Sequence, residues 1–136
     1  MGQQQLLLII LGVIIVGIAV AVGITMFQDS AVSANRDAVT NDLVNLGARS
    51  QQYYRRPVSL GGGGNSFVGL TADAAGFAKL SSQPTNANGA YVIKTAGTAT
   101  QLVLSGVGNE VGNDGTNKVT VEGLITSDSI GINVTN

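Results

Sequence analysis

The sequence lacks three residue types that carry much of protein chemistry: it contains no cysteine, no histidine and no tryptophan. Without cysteine there are no disulfide bonds, thiolate metal ligands or cysteine nucleophiles, and without histidine the commonest general base is missing. Charged residues make up only 11% of the chain and the formal net charge is -1, so we expect no nucleic-acid partner. No acidic pair is spaced for acid–base catalysis. We therefore predict a protein that is not an enzyme, with no catalytic residues, cofactor or metal.

The most prominent feature present is an uncharged apolar run from Leu6 to Phe27. As an α-helix it would be about 33 Å long, close to the hydrocarbon thickness of a bilayer of about 30 Å. A cleaved secretory signal would have a basic start and a shorter apolar core, although Val32-Ser33-Ala34 resembles a cleavage site. A single-span anchor fits the length, and so does a helix buried among other apolar helices.

Three glycines, Gly12, Gly17 and Gly23, interrupt the apolar run, and Ala21 lies between the last two. Glycine is common in membrane helices, but small residues also let helices approach closely. We therefore predict that this helix packs against copies of itself. The residues expected at this contact are Leu6, Leu8, Ile10, Gly12, Ile14, Gly17, Ala21, Gly23 and Phe27.

The segment from residue 28 to residue 56 has the pattern of an amphipathic helix. Val32, Val39, Leu43 and Leu46 recur at helical spacing, and polar residues occupy most other positions. No proline occurs before Pro57, so one helix is predicted over residues 1–56, with its apolar half at 6–27 and its amphipathic half at 28–56.

Residues 57–136 are predicted to form a separate head rich in glycine, serine, threonine and asparagine. Gly61 to Gly64 is interpreted as a flexible linker rather than a phosphate-binding loop, because no strand, helix or lysine flanks it suitably. Phe67 to Leu70 is predicted as a short strand. Thr71 is predicted to cap a short helix over Ala72 to Leu80.

Four later segments show the composition of β-strands, and short connections between them favour an antiparallel meander. These segments are 91–94, 101–104, 118–122 and 130–134. The amphipathic half of the long helix is the one long element able to cover an apolar face of this sheet. The predicted fold class is therefore α+β, a long N-terminal helix packed on a C-terminal antiparallel sheet of about four strands.

Two shorter motifs in the head have several explanations. Gly112-Asn113-Asp114-Gly115 has strong turn chemistry, and we favour a hairpin turn over a calcium loop because the alternating acidic ligands are missing. Asn133-Val134-Thr135 is a sequon for N-glycosylation, so Asn133 is a possible modification site. Tyr53 and Tyr54 are expected to pack in the core or at an interface.

A hydrophobic N-terminal segment continuing into an amphipathic helix, followed by a four-stranded sheet, resembles the type IV pilins and their pseudopilin relatives. The residues that carry the resemblance are the uncharged run from Gly2 to Phe27 with its glycines, and the continuation through Tyr53 to Pro57. It implies a structural subunit of an extracellular filament, held in the cytoplasmic membrane before assembly. Its partners would be its own copies and a pilus assembly machinery. A minor pseudopilin and a monomeric anchored binding module are the alternatives.

The N-terminus differs from the usual pilin pattern of a basic leader followed by a glutamate near the mature start. If Met1 is the mature first residue, Gln5 stands where the glutamate is expected. If cleavage follows Gly2, Leu7 takes that position. Gln5 is predicted to hydrogen-bond the terminal amine of a neighbouring subunit, with less energy than a charged pair would give. The C-terminal disulfide loop usual in the family is also missing.

Overall fold

The computed structural model describes residues 2–136, and its fold is α+β. A long N-terminal helix packs on a C-terminal four-stranded antiparallel sheet, as predicted. The helices are α1 (Gly2–Arg55) and α2 (Ala74–Ala78), with a 3-10 turn at Val58–Leu60. The strands are β1 (Gly89–Thr95), β2 (Gln101–Val111), β3 (Lys118–Thr126) and β4 (Ile130–Val134).

α1 is one uninterrupted helix of 54 residues, about 80 Å long. It ends at Arg55, one residue before the predicted end, because Pro57 cannot continue the helix. Of the predicted apolar stripe, Val39, Leu43 and Leu46 are buried, and Val32 packs at the edge of the core. The amphipathic half of α1 therefore covers the sheet.

The sheet is a meander in the order β1-β2-β3-β4, with every neighbouring pair antiparallel. Alternate residues face α1, among them Leu104 on β2 and Val121 on β3, both fully buried. Leu70, Phe67 and Phe77 from the segment before β1 close one side of this core. The core lies wholly between α1, the sheet and that segment.

β2 and β3 are longer than the sequence predicted. β2 continues through Gly106 and Gly108 to Val111, and β3 continues to Thr126. The glycines made this part of the sequence resemble a loop, but they lie where α1 packs against the sheet. A Cβ at Gly106 would lie 2.8 Å from Val39 Cγ1, and one at Gly108 would overlap Asn35 Oδ1. These glycines serve close packing within a strand rather than chain reversal.

The predicted flexible linker at Gly61 to Gly64 is wrong. Its backbone is tied to the end of α1: Gly62 N donates to Pro57 O, Gly63 N to Tyr53 O and Gly64 N to Arg56 O. Gly61 and Gly64 have φ angles of 78° and 58°, which explains why glycine is needed there. The segment closes α1 in the manner of an extended C-cap.

The short strand predicted at Phe67 to Leu70 is also wrong. Leu70 N donates to Phe67 O, which forms a tight turn, and both side chains are buried. The apolar residues were correctly identified as core, but their spacing of three comes from a turn.

The helix after this turn is shorter than predicted and has another cap. Asp73, rather than Thr71, is the N-cap of α2, and its carboxylate accepts a hydrogen bond of 2.7 Å from Gly76 N. Thr71 instead donates its hydroxyl to Asp73 Oδ1 at 2.6 Å. These bonds, first the one from Thr71, hold the pKa of Asp73 below its usual value.

Candidate functional site

The apolar half of α1 projects from the head with no part of its surface covered. The large apolar side chains from Leu6 to Phe27 are between 51% and 77% exposed, the values of Val22 and Phe27. By length and composition the helix could span a membrane. Covering it removes on the order of 1,000 Å² of apolar surface from water, worth on the order of 25 kcal/mol at about 25 cal/mol per Å². This surface is the main candidate functional site.

The glycines of the apolar half have no packing role inside the molecule. A Cβ added at Gly12, Gly17 or Gly23 would meet nothing within 4 Å. Gly47, farther along the same helix, behaves differently: a Cβ there would lie 3.0 Å from Ile130 Cδ1 and 3.2 Å from Ile125 Cγ1. Gly47 therefore lets α1 approach the sheet, whereas the other three leave grooves that only another molecule could fill.

The grooves point in more than one direction. Gly12 and Gly23 are eleven residues apart, about three helical turns, so they lie on one side of α1. Gly17 and Ala21 lie roughly on the opposite side by the same geometry. Small residues therefore occur on both sides of the projecting helix.

The structure brings all predicted contact residues onto this one helix and leaves them exposed. They are Leu6, Leu8, Ile10, Gly12, Ile14, Gly17, Ala21, Gly23 and Phe27. Gln5 lies in the first turns of α1, is exposed, and its side chain makes no hydrogen bond within residues 2–136. Its predicted contact with a neighbouring subunit stays a prediction.

At the junction between the projecting helix and the head lies an acidic cavity of about 600 Å³. It is lined by Asp29 and Val32, where α1 leaves its apolar half and reaches the head, and by the tip of the β2–β3 hairpin, including Glu110. Both carboxylates are exposed. No lysine or arginine lines this cavity.

A basic cavity of about 440 Å³ lies at the other end of the head, where α1 ends. Arg49, Arg56 and Lys79 line it and no acidic residue does. Arg49 Nη1 donates to Leu80 O at 3.2 Å and Lys79 Nζ to Gly69 O at 2.5 Å, so both bond only neutral carbonyl groups.

A polar cluster beside α1 was not foreseen from the sequence. Asp42 Oδ2 accepts hydrogen bonds from Asn86 Nδ2 at 2.8 Å, Asn88 Nδ2 at 2.8 Å and Tyr91 Oη at 2.6 Å. Partial burial raises the pKa of Asp42, but these three bonds outweigh it and the net pKa lies below its usual value. The cluster fastens the segment before β1 to α1 and so serves folding.

The motif at Gly112 to Gly115 forms the hairpin turn between β2 and β3, as predicted. Asp114 accepts from Thr116 N and Asn117 N through Oδ1, and from Asn117 Nδ2 through Oδ2. Those bonds, the one from Thr116 first, hold its pKa well below the usual range. The carboxylate thus stabilises the turn, and residues 2–136 hold no cluster of acidic side chains suited to a metal ion.

The remaining predicted sites are distributed over the head. Asn133 lies on the edge strand β4, opposite Glu122, with its side chain exposed. Tyr54 packs on Phe67 with ring centroids 4.7 Å apart, and Tyr53 lies partly buried under the Gly63 turn. Both tyrosines join α1 to the head.

No protein-family model, curated protein or solved structure shows significant similarity to the chain.

Proposed function

We propose that the protein is the structural subunit of an extracellular filament of the type IV pilus kind. The subunits polymerise by bundling the apolar halves of their α1 helices. Before assembly each subunit is held in the cytoplasmic membrane by the same helix, and a pilus assembly machinery transfers it to the filament. The protein works as a polymer and carries out no catalysis.

The observation that supports this proposal best is the exposed apolar helix with glycines that pack against nothing in their own chain. Each glycine inside a helix costs about 1 kcal/mol relative to alanine. Lipid chains have no fixed shape, so a simple anchor gains nothing in return. Neighbouring helices do gain, because glycine lets backbones approach closely.

The arrangement of the small residues favours a bundle over a dimer. Gly12 and Gly23 on one side of α1, with Gly17 and Ala21 on the other, allow each helix to contact neighbours in two directions. Contacts of this kind, repeated from copy to copy, generate an open helical polymer rather than a closed pair.

The proposal is tested with Gly17→Leu and Gly12→Leu in the source cells, by measuring protein in the sheared extracellular fraction and in the membrane fraction. Val13→Leu is the matched control, since it changes an already large side chain on the same helix. We expect both glycine variants to stay in the membrane and to lose about 90% or more of the sheared protein, because helix packing depends on small residues. Val13→Leu should assemble normally.

Equal amounts of sheared filament from all three variants would contradict the proposal. That outcome would favour the monomeric anchored module, for which any apolar residue at these positions is acceptable.

A further inference from the structure

The two ends of the head carry opposite charge. The basic cavity with Arg49, Arg56 and Lys79 lies at the upper end, where α1 stops, and the acidic cavity with Asp29 and Glu110 lies at the lower end, next to the apolar helix. Asp29 and Arg56 are 27 positions apart along the helix and its last turn, which places the two cavities about 40 Å apart along the axis.

Among residues 2–136, no carboxylate lines the basic cavity and no lysine or arginine lines the acidic one. The one ion pair among residues 2–136 joins Lys94 to Glu122 on the outer face of the sheet, away from both cavities. Among the described residues, the hydrogen bonds of Arg49 and Lys79 go to carbonyl oxygens, and Lys79 Nζ lies 6.0 Å from the ring of Tyr53. Asp73 has a charge interaction with Lys79 but forms no ion pair with it.

The other charged side chains near the two ends reduce this polarity but do not cancel it. At the lower end Asp37 and Asp114 balance Arg36 and Lys118, and at the upper end Asp128 balances Arg55. The upper end also has Asp73, which interacts with Lys79, and Asp42, which lines a neighbouring cavity with Arg49. The lower end keeps the negative charge of Asp29 and Glu110, and the upper end keeps a smaller net positive charge, because its three cations outnumber the two nearby carboxylates.

We propose that the basic cavity of one copy binds the acidic lower end of another copy displaced by about 40 Å along the axis, so that Asp29 and Glu110 face Arg49, Arg56 and Lys79. The proposal rests on the proposed function: in a bundle of parallel apolar helices, two copies displaced by about 40 Å bring these ends together, while copies at intermediate displacements overlap with both along their apolar halves. The contact is head-to-tail and joins two different surfaces, which is the type that propagates into a helical filament.

The proposed occupant of the basic cavity is a second copy of this chain. Its acidic lower end complements the cavity in charge, and parallel copies displaced along the axis bring the two surfaces together. A bilayer phosphate could also attract the cations, but the membrane lies at the opposite end of α1 from the basic cavity. Bundling of apolar helices does not by itself fix how far one copy slides along another. A charged contact about 40 Å along the axis sets that register, since complementary charges give specificity more than affinity.

The test uses full-length protein in the source cells, with charge reversal at both ends. Arg56→Glu and Glu110→Arg are suitable because neither side chain makes a hydrogen bond within residues 2–136. We expect each single variant to lower sheared filament about fivefold or more, because like charges then meet at the contact. The double variant Arg56→Glu/Glu110→Arg restores opposite charges and should regain most of the wild-type amount.

Lys118→Glu is the matched control for Arg56→Glu, because it makes the same change in net charge but at the lower end, where it adds to the existing negative potential. It should assemble like the wild type. Failure of the double variant to recover, or normal assembly of both single variants while the wild type forms filaments, would overturn this contact and leave the proposed function standing. Absence of wild-type filaments would overturn both.

Discussion

Tyr91 on β1 donates a hydrogen bond of 2.6 Å to Asp42 Oδ2 on α1, 49 positions earlier in the chain. The same oxygen accepts from Asn86 and Asn88, so one carboxylate joins the long helix to the segment that begins the sheet. Burial first, and then this hydrogen bond, raise the pKa of the Tyr91 hydroxyl well above its usual value. The pair thus joins β1 to α1 beside the buried contacts of the core.

Asp42→Ala should lower the free energy of unfolding by about 1–3 kcal/mol, because it leaves three donors without their acceptor. Tyr91→Phe removes one donor and keeps the ring, so its cost should be smaller. Asn41→Ala is the control, because Asn41 is the exposed neighbour on the same helix. Thermal unfolding of the full chain in detergent, followed by circular dichroism, measures all three. A loss for Asp42→Ala no larger than that of the control would contradict the structural role of the cluster.

Stability should fall in acid because the pKa values of Asp42 and Asp114 are lowered in the folded state. A carboxyl group with a lowered folded pKa contributes stability above its unfolded pKa of about 3.9 and loses it as the pH drops through the folded value. We expect a nearly constant unfolding midpoint from pH 7 to pH 5 and a decline below about pH 4. In the double variant Asp42→Asn/Asp114→Asn the unfolding midpoint should fall less steeply with decreasing pH. A fall as steep as that of the wild type would contradict the role of these two carboxylates.

Stability should also fall in alkali, through Tyr91. A tyrosine with a raised folded pKa contributes stability below its unfolded pKa of about 10, and that contribution is lost as the pH rises through the folded value. Tyr91→Phe should therefore lose less stability than the wild type between pH 9 and about pH 11. Tyr53→Phe, which removes a tyrosine hydroxyl on α1 that is not bonded to Asp42, serves as the reference variant. If the unfolding midpoints of the wild type and of Tyr91→Phe change identically over this pH range, Tyr91 does not cause the alkaline loss of stability.

Gly106→Ala should destabilise the head by about 1–3 kcal/mol, because the added methyl group overpacks the contact between α1 and the sheet. Its Cβ would lie 2.8 Å from Val39 Cγ1 and 3.0 Å from the ring of Tyr91. Gly123→Ala is the matched control on the same face of the neighbouring strand, where the nearest atom is Ile125 Cδ1 at 3.3 Å. Chemical denaturation of the two variants gives the comparison. Equal losses at both positions would contradict the close approach at Gly106.

Gln5→Leu should lower the sheared filament about fivefold, because a neutral hydrogen bond to a neighbour's terminal amine is worth about 1 kcal/mol. Gln4→Leu is its control, since Gln4 is equally exposed and points about 100° around the helix. Quantification of sheared protein from both variants is the measurement. If Gln4→Leu and Gln5→Leu behave alike, Gln5 has no special contact.

The sequence predicts the long helix and the four strands well because both have strong periodic patterns. Val39, Leu43 and Leu46 recur at helical spacing, and the strands alternate with glycine-rich turns. The predictions fail where glycine or short polar residues act through distant contacts. Gly106 and Gly108 belong to a strand only because α1 lies against them, and nothing near them in the sequence indicates this.

The candidate site, too, could be predicted only in part from the sequence. The apolar surface of α1 is evident from composition alone, because no charge interrupts Leu6 to Phe27. The two charged cavities are not, since Lys79 and Arg56, or Asp29 and Glu110, come together only when the sheet folds onto the helix. Likewise, the lack of neighbours around Gly17 becomes evident only once the course of the whole chain is known.

The most direct test of filament formation is electron microscopy of filaments sheared from the source cells, with a helical map traced against this sequence. The account predicts fibres in which residues 6–27 of many copies form a dry bundle along the axis, with close contacts at Gly12, Gly17 and Gly23. If no fibre contains this chain and all of it stays in the membrane fraction, the polymer account is contradicted.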